Sequence, residues 1–338
     1  AALAHRNGRG RLLVLVTART EDIEPEGALR GILDELAEAR LVRSVTLRPL
    51  DQADTEKLTR ALVQPKRHDL DIAALSRGVW MLSHGNPFVV VEAVRAGLDR
   101  SAVETDEDLP LPDRVREAIE RRLHRLSRPA GQAAAIAAVV GRPFAFGILW
   151  RASGLPDLEA AAAVEELVRR RLLESADGGF QFTHERIREV AYARLDAIRR
   201  RILHGRVTTA LEAEYAAELE SKSAVLAHHA LAGELWTKAV GFCRGAARVA
   251  VRRGARRQAA SFLEAALAAL AHLPSDPGTL ATGIDLRFEL RNALEPIGDN
   301  QRVLRALDEA LRLAEASDDR PRIARACSFL AHALRLEG

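Results

Sequence analysis

The sequence predicts a mainly α-helical protein that begins with a short α/β segment and ends in helical repeats. Apolar residues make up 48% of the 338 residues and aromatic residues only 4%, so the cores must consist mainly of Leu, Ala and Val. Together with 29% charged residues, this composition is typical of helical proteins. A chain of this length can form two or three domains, each with its own core.

Residues 1–66 alternate between strand and helix patterns, as the end of an α/β domain does. Residues 12–18 are continuously apolar, as expected of a central parallel strand that is covered on both faces. Either Asp51 or Asp54 fits the N-cap of the second helix. The predicted segments are strands at 12–18 and 43–50 and helices at 28–39 and 51–62.

Residues 67–110 are predicted to form a small helical segment with a sharp turn and a linker. A helix over 72–83 is broken at Gly85-Asn86-Pro87, and the next helix covers 88–98. Pro87 suits the first helical position, where its missing N–H would have no partner.

Residues 111–205 have the pattern of a winged-helix domain, in which helices precede a β-hairpin. Strands at 172–174 and 180–182 flank the turn sequence at 176–179, whose glycines suit positive φ angles. A further helix is predicted from Thr183. The four preceding helices are predicted at 113–126, 128–140, 144–153 and 157–171.

Residues 206–338 show helix pairs in which small residues recur at tetratricopeptide-type spacing. A second group repeats the internal steps of the first after 44 residues, which is longer than the usual ~34 of such repeats. We therefore expect loose, elongated repeats. The two groups are Ala247, Ala250, Ala259, Leu263 and Ala266, and then Val303, Leu307 and Ala310.

The chain contains no residue that can serve as the lysine of a phosphate-binding loop, which must directly follow a glycine. Its four lysines, Lys57, Lys66, Lys222 and Lys238, follow Glu, Pro, Ser and Thr. The only methionine is Met81, so the chain is predicted to be an excerpt of a longer protein.

No catalytic or metal-binding group is predicted. The ten histidines include no metal-ligand spacing with a matching carboxylate, and no nucleophile elbow is present. Adjacent His228 and His229 should point to different sides of a helix. Cys243 and Cys327 are expected to be small core residues in a reducing, cytoplasmic setting. The uncharged, Ala-rich stretch 129–141 is too short to span a membrane.

The order of these parts, with Gly85-Asn86-Pro87-Phe88 in the lid segment and Phe180-Gln-Phe-Thr-His184-Glu185 after the hairpin, resembles the signal transduction ATPases with numerous domains, or STAND ATPases. Such proteins include large LuxR-type activators and cyclase-linked bacterial regulators. The resemblance covers nearly the whole chain. It implies a remnant of an α/β ATPase domain at 1–66, then a lid segment, a winged-helix domain and an α-solenoid of repeats.

The resemblance implies that bound ATP or ADP is sensed by residues of this chain. Thr17 and Arg19 lie at the carboxyl end of the predicted strand, where ligands of open α/β sheets bind. The matching polar residue of the family reads the γ-phosphate region. The alternative is a strand that ends in solvent, with Arg19 on the surface.

The turn and the histidine are the other implied contacts with the nucleotide. Gly85, Asn86 and Pro87 match the family's turn, whose proline packs near the adenine, although a helix that starts with proline is a common alternative. His184, with Glu185 as its acidic neighbour, matches the family's histidine that contacts the β-phosphate of ADP. The alternative is an exposed or capping histidine at a helix start.

The implied function is that of a regulatory fragment of a bacterial switch ATPase. The repeats would bind a protein or small-molecule inducer, and the output domain, DNA-binding or cyclase, would lie outside this chain. The parent protein is expected to be a slow, cytoplasmic ATPase. It is expected to self-assemble in the presence of ATP and to make no contact with a membrane.

Two other functions stay open. One is a helical-repeat interaction scaffold that uses no nucleotide. The other is a transcriptional regulator that binds DNA through the winged helix. The acidic residues of the helix over 157–171 argue against the second, because they would repel phosphate. The basic runs at 199–201 and 252–253 lie among acidic residues and are expected to be solvated helix faces.

Overall fold

The computed structural model describes residues 15–17, 28–39, 41–63, 71–98, 111–141, 143–176 and 178–337. Within these residues the fold is mainly α-helical and the sheet is a two-stranded hairpin, which confirms the predicted mainly α class. The chain divides into two compact units, one made of residues 1–134 and 161–194 and the other of residues 135–160 and 195–338. Residues 111–205, the predicted winged-helix segment, are divided between these two units. The predicted domain boundaries stay predictions.

The first elements are helices that mostly match the predicted ones within one or two residues. They are α1 (Ala28–Glu38), α2 (Gln52–Val63), α3 (Ile72–Ser83), α4 (Pro87–Leu98), α5 (Asp113–His124), α6 (Arg128–Val140), α7 (Phe146–Ser153) and α8 (Asp157–Arg169).

The hairpin and the remaining helices follow. They are β1 (Leu173–Ala176), β2 (Gly179–Phe182), α9 (Glu185–Ala193), α10 (Ala197–Glu214), α11 (Ser223–Ala232), α12 (Trp236–Arg252), α13 (Arg256–Leu270), α14 (Pro277–Leu294), a short 3₁₀ turn (Glu295–Ile297), α15 (Asn300–Ala316) and α16 (Arg320–Glu337).

The two strands predicted for the α/β segment are not present in the described residues. Leu15 and Val16 have no regular secondary structure and are 86% and 67% exposed, and Val45 and Leu47 are 73% and 89% exposed. A strand needs a hydrogen-bonded neighbour and an apolar cover. Neither segment pairs with a described strand, so the expectation of a covered sheet is wrong for residues 15–17 and 41–50. The rest of the first predicted strand lies outside the described residues.

Helices α2, α3 and α4 share a small apolar core. The N-terminus of α2 is capped by Asp51, whose Oδ1 accepts a hydrogen bond from the N–H of Asp54 at 2.7 Å. Asp71 caps α3 in the same way, by accepting from the N–H groups of Ala73 and Ala74. The buried residues of this core are Val63, Leu75, Val79, Leu82, Val90, Ala93 and Val94.

The hairpin is confirmed, with strands that run closer to the turn than predicted. Its register pairs Leu173 with Phe182 and Ala176 with Gly179, which leaves two residues for the turn. Gly178 adopts φ +82°, a left-handed conformation that favours glycine, and Asp177 lies outside the described residues. Helix α9 then begins at Glu185 rather than at Thr183.

The repeats form the larger core of the second unit, in helices α11 to α16. The eight small or apolar residues that the spacing singled out are at most 4% exposed. Small side chains at these positions allow the backbones of neighbouring helices to approach closely. The expectation of packed helix pairs is therefore confirmed.

The two cysteines are free thiols in different settings. Cys243 is buried, and its burial raises the pKa of the thiol to about 11. Cys327 is exposed, so its expected place in the core is wrong. No helix in the described part of the chain combines the length and hydropathy that a bilayer crossing requires.

Candidate functional site

A rigid turn separates α3 from α4. Helix α3 ends at Ser83, and the capping residue His84 adopts φ 45° and donates its N–H to the carbonyl oxygen of Trp80 at 2.8 Å. Gly85 follows with φ +75°, and a Cβ added there would lie only 1.9 Å from the carbonyl oxygen of Leu50. The Gly85 carbonyl in turn accepts a hydrogen bond from the N–H of Leu50 at 2.8 Å. The backbone of residue 50 therefore clamps the turn, and only glycine fits.

Asn86 and Pro87 start α4 by ordinary helix chemistry. The Asn86 Oδ1 accepts from the N–H of Phe88 at 3.1 Å, and its carbonyl accepts from Val90 at 3.0 Å. Pro87 is the first helical residue, as its missing N–H allows. Phe88 is 46% exposed, so an apolar edge lies open at this turn.

His184 lies at the start of α9 and faces the turn. It occupies the N-cap position with an extended backbone, and its side chain makes no capping hydrogen bond. Its ring stacks on the ring of His84, with centroids 4.5 Å apart and planes tilted by 14°. The structure thus brings the predicted turn and the predicted histidine together.

His84 is the contact that sequence reasoning missed. Its place directly before Gly85-Asn86-Pro87, at the left-handed C-cap of α3, is the one available signal. The stack depends on the position of the hairpin, which the local sequence does not encode.

Burial and neighbouring groups shift the pKa of His184. Partial desolvation of the ring lowers its pKa first, followed by the charges of His84 and Arg122, while Glu174 acts in the opposite direction. The Arg122 guanidinium is anchored on this side of the hairpin, since it donates to the carbonyl oxygens of Arg170 at 2.8 Å and Arg171 at 3.3 Å. We call His84, His184 and Arg122 the turn–hairpin cluster. Imidazolium and guanidinium are the donors that bind phosphate oxygens most strongly.

The remaining predicted residues do not extend this cluster. Thr17 is exposed and belongs to no strand, so its expected place at a strand end is wrong. Arg19 lies outside the described residues. The described contacts therefore link the Gly85-Asn86-Pro87 turn to His184 through the adjacent His84.

A second histidine group lies in the other unit, between α10 and α11. His204 and His229 are each 2% exposed, and their Nδ1 atoms are 2.9 Å apart. The ring of the exposed His228 lies 5.0 Å from that of His229 and 5.7 Å from that of His204, between centroids. Burial lowers the pKa of His204 to about 4, and the charges of His228 and Arg200 add to this effect. Because His228 and His229 are adjacent in sequence, they are not expected to be joint ligands. In the structure, the rings of both lie close to the ring of His204.

The described fold defines a mainly α protein with one β-hairpin and an array of helix pairs. A search of solved structures matches the chain to a STAND protein with a tetratricopeptide repeat sensor from Pyrococcus horikoshii, at 12% identity and a TM-score of 0.29. The match covers 88% of this chain and 58% of that protein. No protein-family model matches the chain, and the search of curated proteins gives no match.

Proposed function

We propose that this chain is the regulatory part of a bacterial signal-transduction ATPase switch. In this proposal, the turn–hairpin cluster contacts the diphosphate of a bound nucleotide, and a phosphate-binding loop elsewhere in a longer protein holds that nucleotide. The observation that carries the proposal is the 4.5 Å stack of His84 on His184, which links the turn after α3 to the start of α9. Each element alone has an ordinary structural explanation, and their contact is what favours a shared site.

The chemistry of the cluster supports a phosphate ligand. Burial disfavours protonation of His184, and the charges of His84 and Arg122 add to this effect. An anion beside the two imidazole rings would instead favour their protonation, because each protonated ring would gain a charge-assisted hydrogen bond. The clamped Gly85 turn and the open edge of Phe88 add a rigid apolar surface suited to a base.

The switch would then have two states. With ADP bound, the phosphate contact keeps the turn and the hairpin together, and exchange for ATP or binding of an inducer releases them. The repeats provide the surface for that protein or small-molecule inducer. The output, a DNA-binding or cyclase domain, and slow ATP hydrolysis belong to the parts of the parent protein beyond this chain.

The first test measures ADP affinity in the full-length protein by calorimetry. Replacing His184 with Ala removes one charged hydrogen bond, so ADP affinity should fall about tenfold or more and basal output should rise. His124→Ala is the matched control, since His124 is an exposed histidine of the same unit outside the cluster. ADP affinity that is equal in the His184→Ala variant and the wild type would refute the phosphate contact.

The pH dependence separates a phosphate contact from a merely structural role. The pKa of His184 is lowered, so the ring is neutral at pH 7.5, and a phosphate contact would require it to take up a proton. ADP should therefore bind more tightly as the pH falls from 7.5 towards 6, with net proton uptake. The His184→Ala variant should show a weaker pH dependence, whereas a purely structural histidine would leave the dependence unchanged.

A nucleotide-independent interaction scaffold is the second candidate. The continuous core of helix pairs in α11 to α16 favours it, because such an array presents a binding surface without any cofactor. A parent protein that lacks a phosphate-binding loop and retains no ADP after purification would decide for the scaffold.

A further inference from the structure

Helices α10 and α11 approach closely at two glycines. A Cβ added to Gly233 would lie 2.8 Å from the backbone nitrogen of Gly205 and 3.0 Å from its Cα. Gly233 directly follows α11, and its N–H donates to the carbonyl oxygen of His229 at 2.8 Å. His204 directly precedes Gly205. The close approach of the two backbones therefore places His204 beside His229, with their rings tilted by 37°.

The ring nitrogens of three histidines converge at this point. One nitrogen from each of His204, His228 and His229 lies within 4.8 Å of the other two, and the closest pair is 2.9 Å apart. Ligands on a tetrahedral ion with bonds of 2.0–2.1 Å lie about 3.3 Å from each other. The distance of 2.9 Å is shorter than this ligand–ligand distance, and the limit of 4.8 Å is longer. Rotation of the exposed His228 ring can shorten the longer distances.

The surroundings of the three rings suit a borderline divalent cation. His204 and His229 come from different helices and are buried, whereas His228 is exposed and leaves one side open to water. Three neutral imidazoles with an open fourth position are a known ligand set for Zn²⁺. A purely nitrogen donor set selects Zn²⁺, Cu²⁺ or Ni²⁺ over Mg²⁺ and Ca²⁺, which prefer oxygen.

We propose that His204, His228 and His229 form a binding site for a Zn²⁺-type divalent cation that links α10 to α11. Water or an external ligand completes the coordination on the open side of His228. The ion connects two helices whose backbones approach closely at Gly205 and Gly233, so its binding stabilises this part of the second unit. The site is independent of the turn–hairpin cluster and does not rest on the proposed nucleotide switch.

The competing explanation is a hydrogen bond between two neutral imidazoles. At 2.9 Å, one Nδ1 of the His204–His229 pair would donate and the other accept. This arrangement needs no third histidine. A metal site requires lone pairs from both rings and gains affinity from His228, and this difference makes His228 the informative residue.

The test uses the whole 338-residue chain without a histidine tag, after treatment with a chelator. Calorimetry with Zn²⁺ should show one ion bound per chain, and Co²⁺ should give the intense visible absorption of a tetrahedral complex. His228→Ala removes an exposed side chain and should therefore preserve the fold. It should weaken Zn²⁺ binding at least tenfold, because loss of a direct ligand should cost more than the 10–100-fold loss seen when an outer-shell partner is removed. His204→Leu should abolish binding, with circular dichroism as the check on folding.

His332→Ala is the matched control, because this histidine is exposed and lies outside the group. The Zn²⁺ affinity of the His332→Ala variant should equal that of the wild type. Zn²⁺ should raise the melting temperatures of the wild type and of His332→Ala, but not that of His228→Ala. Wild-type binding that is no tighter than that of His228→Ala would leave the simple imidazole hydrogen bond as the explanation and overturn the proposal. Absence of any Zn²⁺ binding by the wild type would do the same.

Discussion

Gly85 shows how a single residue fixes the candidate nucleotide site. Its left-handed backbone disfavours a side chain, and the contact with the backbone of Leu50 excludes one. The left-handed conformation alone costs an L-residue about 1–2 kcal/mol. Here the nearest atoms belong to the backbone of Leu50 and cannot move as a flexible side chain can.

We predict that Gly85→Ala lowers the free energy of unfolding by about 2–4 kcal/mol, as the sum of backbone strain and a backbone clash. Urea denaturation measures this loss. Gly178→Ala is the control within the same unit, because Gly178 has φ +82° but a Cβ there would meet nothing within 4 Å. It should cost only about 1 kcal/mol. Equal losses in the two variants would show that the contact with Leu50 is unimportant.

The candidate site residues differ in how well the sequence predicts them. Gly85 and Pro87 are recognisable locally, because a glycine in a turn and a proline at a helix start follow from backbone sterics. His184 was singled out by its place after the hairpin and by the family resemblance. His84 and Arg122 were not predicted, because they join the cluster only through contacts between segments distant in sequence.

At the scale of elements, ion pairs connect alternate helices of the repeat array. Arg244 of α12 bonds to Glu289 of α14 at 2.5 Å, and Arg322 of α16 bonds to Asp285 of α14 through two hydrogen bonds of 3.0 and 2.9 Å. Arg302 of α15 likewise contacts a glutamate of α13. Small side chains set the distance between neighbouring helices, whereas these ion pairs connect α12 to α14, α13 to α15 and α14 to α16.

The Arg322–Asp285 pair engages both oxygens of its carboxylate. Arg322 also donates to Asp319 at 2.6 Å, and these two carboxylates raise the pKa of the guanidinium. Planar, paired hydrogen bonds of this kind are stronger than single ones. Both side chains of the Arg322–Asp285 pair are less than a third exposed, so solvent screens the pair only in part.

We predict that Arg322→Ala destabilises the chain by about 1–2 kcal/mol, less than a fully buried pair would because of solvent screening. The loss should shrink at high salt. Arg320→Ala is the neighbouring control, since Arg320 is 87% exposed and its closest carboxylate oxygen is 3.9 Å away. Thermal unfolding of the two variants should separate them, and a melting temperature lowered equally by both would contradict the prediction.

Across the whole molecule, basic residues lie beside acidic ones. Arg201 pairs with Glu234 at 3.0 Å, Arg252 pairs with Glu220 at 2.7 Å, and the net charge is only +3. The helix α8, which would present itself to DNA in a winged-helix mode, carries exposed Glu159 and Glu165. Strong DNA binding needs positive charge concentrated on one face.

We therefore predict that the chain does not bind duplex DNA at physiological salt, with a dissociation constant weaker than about 10⁻⁶ M, the stronger end of the non-specific range. Fluorescence anisotropy with a labelled duplex measures this affinity between 50 and 200 mM salt, concentrations over which non-specific binding falls steeply. Glu159→Gln combined with Glu165→Gln should raise the affinity at low salt if α8 faces the DNA. Submicromolar binding by the wild type at physiological salt would favour the DNA-binding alternative.

The sequence by itself determined the helical elements, the hairpin and the buried small residues of the repeats, because each depends on local sterics or on a periodicity that survives without neighbours. Tertiary structure decided the rest. The strands expected at 12–18 and 43–50 required partners that the described residues do not provide, and alternation alone could not reveal this. The His84–His184 stack and the convergence of His204, His228 and His229 likewise depend on how distant segments pack, and no local pattern encodes that packing.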